Sequence, residues 1–244
     1  MPTHIPNGFL LAIEGIDGAG KTTQAGLLSA RLTEAGIDVV RTKEPTDGPW
    51  GRKIRASAFE GRLSPSEELD YFIRDRREHV ETLLKPSLRE GKLVIVDRYY
   101  FSTIAYQGAR GMDPEALLKL NEDFAPTPNL LVLLTVDPKI GLQRIRKRGD
   151  KANHFETETS LRKVASIFEQ LSFSYLHRVN ANLPPEDIAA GILDRLYSGP
   201  LSTCDSQTGE LLPQEDQSMP CTGELWNITA RISDQRSKKL KGAS

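Results

Sequence analysis

The sequence predicts an α/β fold, a five-stranded parallel sheet flanked by helices, and two observations carry that expectation. Short, continuously apolar runs recur at Phe9 to Ile13, Ile37 to Val40, Leu93 to Val96 and Leu130 to Val136, with a weaker one at Leu176 to Val179. Such runs read as strands covered on both faces. The stretches between them have helical periodicity, and strand-helix alternation running nearly to Tyr197 builds a parallel sheet with ligands beyond the carboxyl ends of its strands.

Taken in order, the first strand ends at Glu14 and gives way to a glycine-rich turn, with a helical stretch beginning near Lys21. The clearest helix start is Ser64-Pro65-Ser66-Glu67: Ser64 can cap, Pro65 fits the first turn and Glu67 can close a capping box, so a helix is expected from there toward Leu88. Asp113-Pro114, Asp137-Pro138 and Pro184-Pro185 each precede helix-compatible stretches, placing Pro where its missing N–H costs nothing. Ser198-Gly199-Pro200 then breaks the pattern, and apolar periodicity is lost. Residues 1–197 are therefore read as one domain and 198–244 as a C-terminal extension whose lysine-bearing end is a solvated tail. Within the extension, Thr208-Gly209-Glu210-Leu211 recurs as Thr222-Gly223-Glu224-Leu225, too short a match to define a repeat architecture.

A chain of 244 residues with 38% hydrophobic content can bury a substantial core. Its 32 basic and 33 acidic residues leave a net charge of -1, so no global field favours nucleic acid or an anionic membrane surface, and any anion must be held by local arrangement. No apolar stretch reaches the roughly 18 residues of a membrane helix, and the N-terminus lacks an export signal, so a cytoplasmic location is expected. Cys204 and Cys221 have no partner at metal-ligand spacing and read as reduced thiols.

Gly15-Ile16-Asp17-Gly18-Ala19-Gly20-Lys21-Thr22 fits G-x-x-x-x-G-K-[ST] and sits between a strand and a helix, the context the motif requires. The glycines let successive N–H groups turn inward on the phosphates of ATP, aided by the positive end of the following helix. Lys21 is expected to reach the β- and γ-phosphates and Thr22 to offer its hydroxyl to Mg²⁺. The motif thus narrows the fold to that of the P-loop NTPases. A second constellation, Asp97-Arg98, leaves the carboxyl end of the third strand. The aspartate there can hold Mg²⁺ through water or orient an attacking oxygen, and Arg98 presents a planar fork suited to an acceptor phosphate.

Four stretches make the reading specific. They are Glu14 to Gln24, Lys43-Glu44-Pro45-Thr46, the helix carrying Phe72 and Arg76, and Asp97-Arg98-Tyr99-Tyr100-Phe101-Ser102-Thr103-Ile104-Ala105-Tyr106-Gln107-Gly108. Together, over nearly all of residues 8–197, they resemble the thymidylate kinases. The resemblance implies phosphorylation of dTMP by ATP, with Asp17 near the acceptor deoxyribose and Arg55 near its phosphate. It also implies that Phe72 stacks on thymine, Arg76 bonds its O4, Arg98 holds the acceptor phosphate, Ser102 lies near N3, Tyr106 crowds a 2′-hydroxyl and Gln107 lines the site. The run Gly141 to Gly149 falls where that family carries a mobile lid, which makes Arg146 and Arg148 candidates for an arginine finger in cis. A homodimer is implied as well.

The chain departs from the bacterial pattern at Thr46-Asp47-Gly48-Pro49-Trp50-Gly51 and at Arg77-Glu78-His79, and His154 stands where the lid usually carries arginine. Two other functions remain open at this point: a kinase of another nucleoside monophosphate or of a nucleoside, and a non-catalytic nucleotide-binding protein.

Overall fold

A computed structural model describes residues 5–61, 63–149 and 157–198. The expected extension beyond Ser198, with both cysteines, and the lid residues His154-Phe155-Glu156 lie outside the described residues. Five strands, β1 (Phe9–Glu14), β2 (Val39–Lys43), β3 (Leu93–Asp97), β4 (Leu130–Thr135) and β5 (Leu176–Asn180), form one parallel sheet in the order β2-β3-β1-β4-β5. The three central strands β3, β1 and β4 are almost entirely buried, which is why their sequences are continuously apolar. The helices around them are α1 (Lys21–Glu34), α2 (Pro49–Glu60), α3 (Pro65–His79), α4 (Lys85–Arg89), α5 (Tyr100–Gly108), α6 (Pro114–Glu122), α7 (Pro138–Lys147), α8 (Glu158–Gln170) and α9 (Pro185–Ser198).

Register fixes the site. Ile13 of β1 and Lys43 of β2 both pair with Asp97 of β3, so the carboxyl ends of three strands finish in one row. The turn after Glu14 therefore lies beside Asp97-Arg98.

The Ser64 capping box forms as expected: the hydroxyl accepts from Glu67 N at 3.3 Å and Glu67 Oε2 accepts from Ser64 N at 3.2 Å. The helix from it is not regular to Leu88, because a π-helical turn at Val80–Leu84 separates α3 from α4. Pro86, which has no N–H to give to the preceding turn, sits just beyond it. The second strand begins two residues later than its apolar run. Ile37 is buried as the residue closing α1, where its N–H donates to Leu32 O at 3.0 Å after Gly36 with φ 89°. Pairing with β3 then carries the strand through Arg41, Thr42 and Lys43, which have no apolar signature. Among the described residues no helix is long and apolar enough to cross a membrane.

Candidate active site

β1 delivers the chain to Gly15, whose φ of 143° starts the turn; Gly18 and Gly20 follow with φ of 80° and 98°. Gly18 is also required by proximity: a Cβ there would lie 2.2 Å from Gly141 O, and one on Gly141 would lie 2.6 Å from Asp17 O. The loop is thus seated directly on the backbone of α7. Arg144 reinforces this seat, donating to Gly18 O at 3.4 Å and to Ala181 O at 2.9 Å. Ile16 and Ala19 are buried beneath the turn, with Ala19 N donating to Ile16 O at 3.2 Å.

Lys21 is buried at the start of α1 and donates from Nζ to Gly15 O at 3.0 Å and Ile16 O at 2.8 Å. Burial and then the neighbouring Arg98 draw its ammonium down to about 8, against the opposing pull of Asp17, Asp97 and Glu14. Thr22 on the next position donates to Asp97 Oδ2 at 2.5 Å, joining the loop to the end of β3.

Arg98 has a φ of 69°, an uncommon backbone for a non-glycine residue, and its N–H donates to Ile13 O at 3.0 Å. Its guanidinium pairs with Asp17 and reaches Ser102 Oγ at 3.2 Å. Asp17 in turn accepts from Tyr106 OH at 2.7 Å, and Arg98 lies 5.4 Å from the centre of that ring. Burial works against the charge on Asp17, but Arg98, Lys21 and the Tyr106 hydroxyl together hold its carboxyl below the usual range. Arg98 is likewise kept fully charged by Asp17 despite its own desolvation.

The organiser of this corner is Glu14, which the sequence analysis did not single out. It is completely buried. Its Oε1 accepts from Tyr99 N at 2.8 Å and Ser102 N at 2.9 Å, and its Oε2 accepts from Ser102 Oγ at 2.6 Å. A buried glutamate in the last strand position before the glycine-rich turn was the available signal, since such a group must find donors. Burial pushes its carboxyl up.

Around Lys21 and Arg98 lies a cleft of about 250 Å³ lined by five cations, Lys21, Lys43, Arg55, Arg98 and Arg148, and three carboxylates, Asp17, Glu44 and Asp97. That surplus suits a polyanion. A cavity of about 570 Å³ opens on the other side of Thr22 and Asp97, beneath Arg41, Thr42 and His79, but it lacks Lys21 and Arg98. The smaller space is therefore the candidate site. Arg55 reaches it from α2, donating to Pro45 O at 2.8 Å and Asp47 Oδ1 at 2.9 Å. Both candidate finger residues are exposed, and of the two only Arg148 lines the cleft.

The expected base-reading set divides. Arg76 is buried: Nε donates to Glu44 Oε2 at 2.7 Å, Nη1 to Asn121 Oδ1 at 2.6 Å and Nη2 to Thr103 Oγ1 at 3.0 Å. Phe72, one turn earlier, is half-buried and is not among the side chains packed on the core. Gln107 is buried and donates to Glu68 Oε2 at 2.7 Å. Ser102 is turned away from Arg76 toward Glu14 and Arg98, and the hydroxyl that meets Arg76 is that of Thr103. Adjacent helical residues project about 100° apart, so one element serves both ends of the site.

A family model described as thymidylate kinase matches residues 13–192. A thymidylate kinase of Xanthomonas campestris pv. campestris is 50% identical over 206 residues, covering 81% of this chain and 90% of its own. One of Xanthomonas oryzae pv. oryzae is 51% identical over 199 residues, with 78% and 87% covered, and one of Xylella fastidiosa is 50% identical over 189 residues. With the family model matching most of the chain, and with identity at this level across most of its length, the chain belongs to the thymidylate kinase family.

Proposed function

We propose that this protein transfers the γ-phosphoryl of ATP to dTMP, giving dTDP and ADP. A phosphate oxygen of dTMP attacks the γ-phosphorus as the bond to the β-γ bridging oxygen breaks, and ADP leaves with that electron pair. The observation that carries the reading is the row of strand ends that sets Lys21 and Arg98 on one small cationic cleft. Such a reaction asks the protein mainly to position and to offset charge.

In this reading the backbone from Gly15 to Gly20 and the Lys21 ammonium hold the donor phosphates. Arg98 and Arg55 hold the acceptor phosphate, and Asp17 with Tyr106 borders its deoxyribose. Phe72, Arg76 and Gln107 form the base end. Ser102 is reassigned from the base to the support of Arg98, and Thr103 takes the place beside Arg76. Thr22 and Asp97 present a hydroxyl and a carboxylate oxygen in mutual contact, a donor set suited to Mg²⁺. When bound, Mg²⁺ supplies charge neutralisation at the β- and γ-phosphates.

The test is ADP formation with ATP, Mg²⁺ and a panel of nucleosides and nucleoside monophosphates. Rapid turnover with dTMP is expected; preference for another acceptor would redirect the reading to another kinase, and no turnover would leave a nucleotide-binding protein. Arg148 is assigned the finger, so Arg148→Ala is expected to lower kcat by about 10²-fold or more and Arg146→Ala by less than about threefold. Equal losses would remove that assignment. A homodimer and a cytoplasmic location go with this reading, and light scattering at twice the chain mass would support the first.

A further inference from the structure

Helix α3 carries Glu68, Phe72 and Arg76 at positions i, i+4 and i+8, so the three share one face. α5 answers with Thr103 and Gln107 at i and i+4. Two polar rungs join the helices: Arg76 to Thr103 at 3.0 Å, and Gln107 Nε2 to Glu68 Oε2 at 2.7 Å. Phe72 falls midway between the rungs along α3.

The phosphate chemistry has no use for the second rung. Glu68 and Gln107 are both fully buried. Arg110 pairs with Glu68 Oε2 through Nη1 and is itself pinned by donation from Nη2 to Leu63 O at 2.9 Å. An ion-paired carboxylate only accepts hydrogen bonds, so the Gln107 amide can meet it only through its NH₂ group. That leaves Gln107 Oε1 directed away from Glu68, buried, and without a hydrogen-bond partner among the described residues. Buried acceptors are rarely left this way unless something else completes them.

We propose that Glu68, anchored by Arg110, is a positioning residue for base selection: it locks the Gln107 amide so that its carbonyl oxygen is the group shown to the acceptor's base. The inference rests on the proposed reading that the acceptor's phosphate meets Arg98 in the cleft and its base extends from there toward Phe72, Arg76 and Gln107. An acceptor at Gln107 and a donor at Arg76 match a pyrimidine with a ring N–H beside a carbonyl. Cytosine presents a ring acceptor beside an amino group and mismatches at both. The locked amide thus excludes cytosine by leaving buried groups unpaired.

Glu68→Gln tests this, because a glutamine can face Gln107 with either end and frees its amide to turn over. Steady-state kinetics with dTMP and with dCMP, alongside thermal melting, are the readouts. The expected result is a KM for dTMP raised about tenfold, kcat within about twofold, and a dTMP-over-dCMP ratio of kcat/KM reduced about tenfold or more. Adding Gln107→Ala to Glu68→Gln should cost much less than Gln107→Ala does alone. An unchanged KM and ratio, or a lower Tm with unchanged kinetics, would make Glu68 merely structural and overturn the proposal. If Glu68→Gln does not fold, Arg110→Leu releases Glu68 from outside the slot and should move the same ratio; no movement overturns the proposal equally. A wild-type protein that rejects dTMP while using another acceptor would sink the underlying reading and this inference with it.

Discussion

Replacing Lys21 by methionine is expected to lower kcat/KM by about 10²–10³-fold while leaving the fold intact. The ammonium is the one buried cation inside the turn, held by Gly15 O and Ile16 O, and a neutral side chain of similar length removes its charge at little cost in packing. A pH signature accompanies the loss. In the free protein burial and Arg98 bring Lys21 down to about 8, and nucleotide phosphates favour its charged form. Binding above that pH therefore takes up a proton, so the affinity for ATP should be flat below about pH 8 and fall roughly tenfold per pH unit above it. The variant should show no such break. Stability has its own sign: between about 8 and the ordinary value of 10.5 the unfolded chain keeps a proton that the fold has lost, so the wild type gains stability relative to Lys21→Met as pH rises through that window. Calorimetric titration with ATP from pH 7 to 9.5 checks the first expectation; a wild-type affinity constant over that range would contradict it.

Glu14→Ala is expected to produce the largest loss of stability, about 3–5 kcal/mol, because it orphans two buried N–H groups and a hydroxyl at about 1–3 kcal/mol each. Activity should fall further than stability alone explains, since Tyr99 and Ser102 follow the positive-φ residue Arg98 and hold its turn to Glu14. Glu14→Gln keeps an acceptor for Tyr99 N and Ser102 N and should lose less than about half as much. Denaturant unfolding of the two variants gives the comparison. Equal stability in wild type and Glu14→Ala would mean that the turn is held by other contacts.

Much of the architecture was legible because it rests on local patterns. The buried runs of β1, β3 and β4, the Ser64 capping box and the prolines at helix starts all formed where the residues indicated. The boundary of β2 was not legible, since Arg41 to Lys43 join the sheet through backbone pairing with β3 and not through apolar side chains. Nor was the choice between Arg146 and Arg148. They lie two residues apart, which on a helix puts them on nearly opposite sides, and only the docking of α7 against Gly18 decides which side meets the cleft.

By itself the sequence determined the parallel α/β sheet, the phosphate loop with Lys21 and Thr22, and the pairing of Asp97 with Arg98 at a strand end. Each depends on residue type at fixed short spacing. The tertiary structure alone decided that Glu14 gathers Tyr99 and Ser102 beside Arg98, that Ser102 faces Arg98 while Thr103 faces Arg76, and that the Gln107 amide donates to Glu68. Apart from Arg98 and Ser102, which are four positions apart, those contacts join residues 27 to 88 positions apart, and a hydrogen bond's direction depends on which donors and acceptors the packed elements bring within about 3 Å.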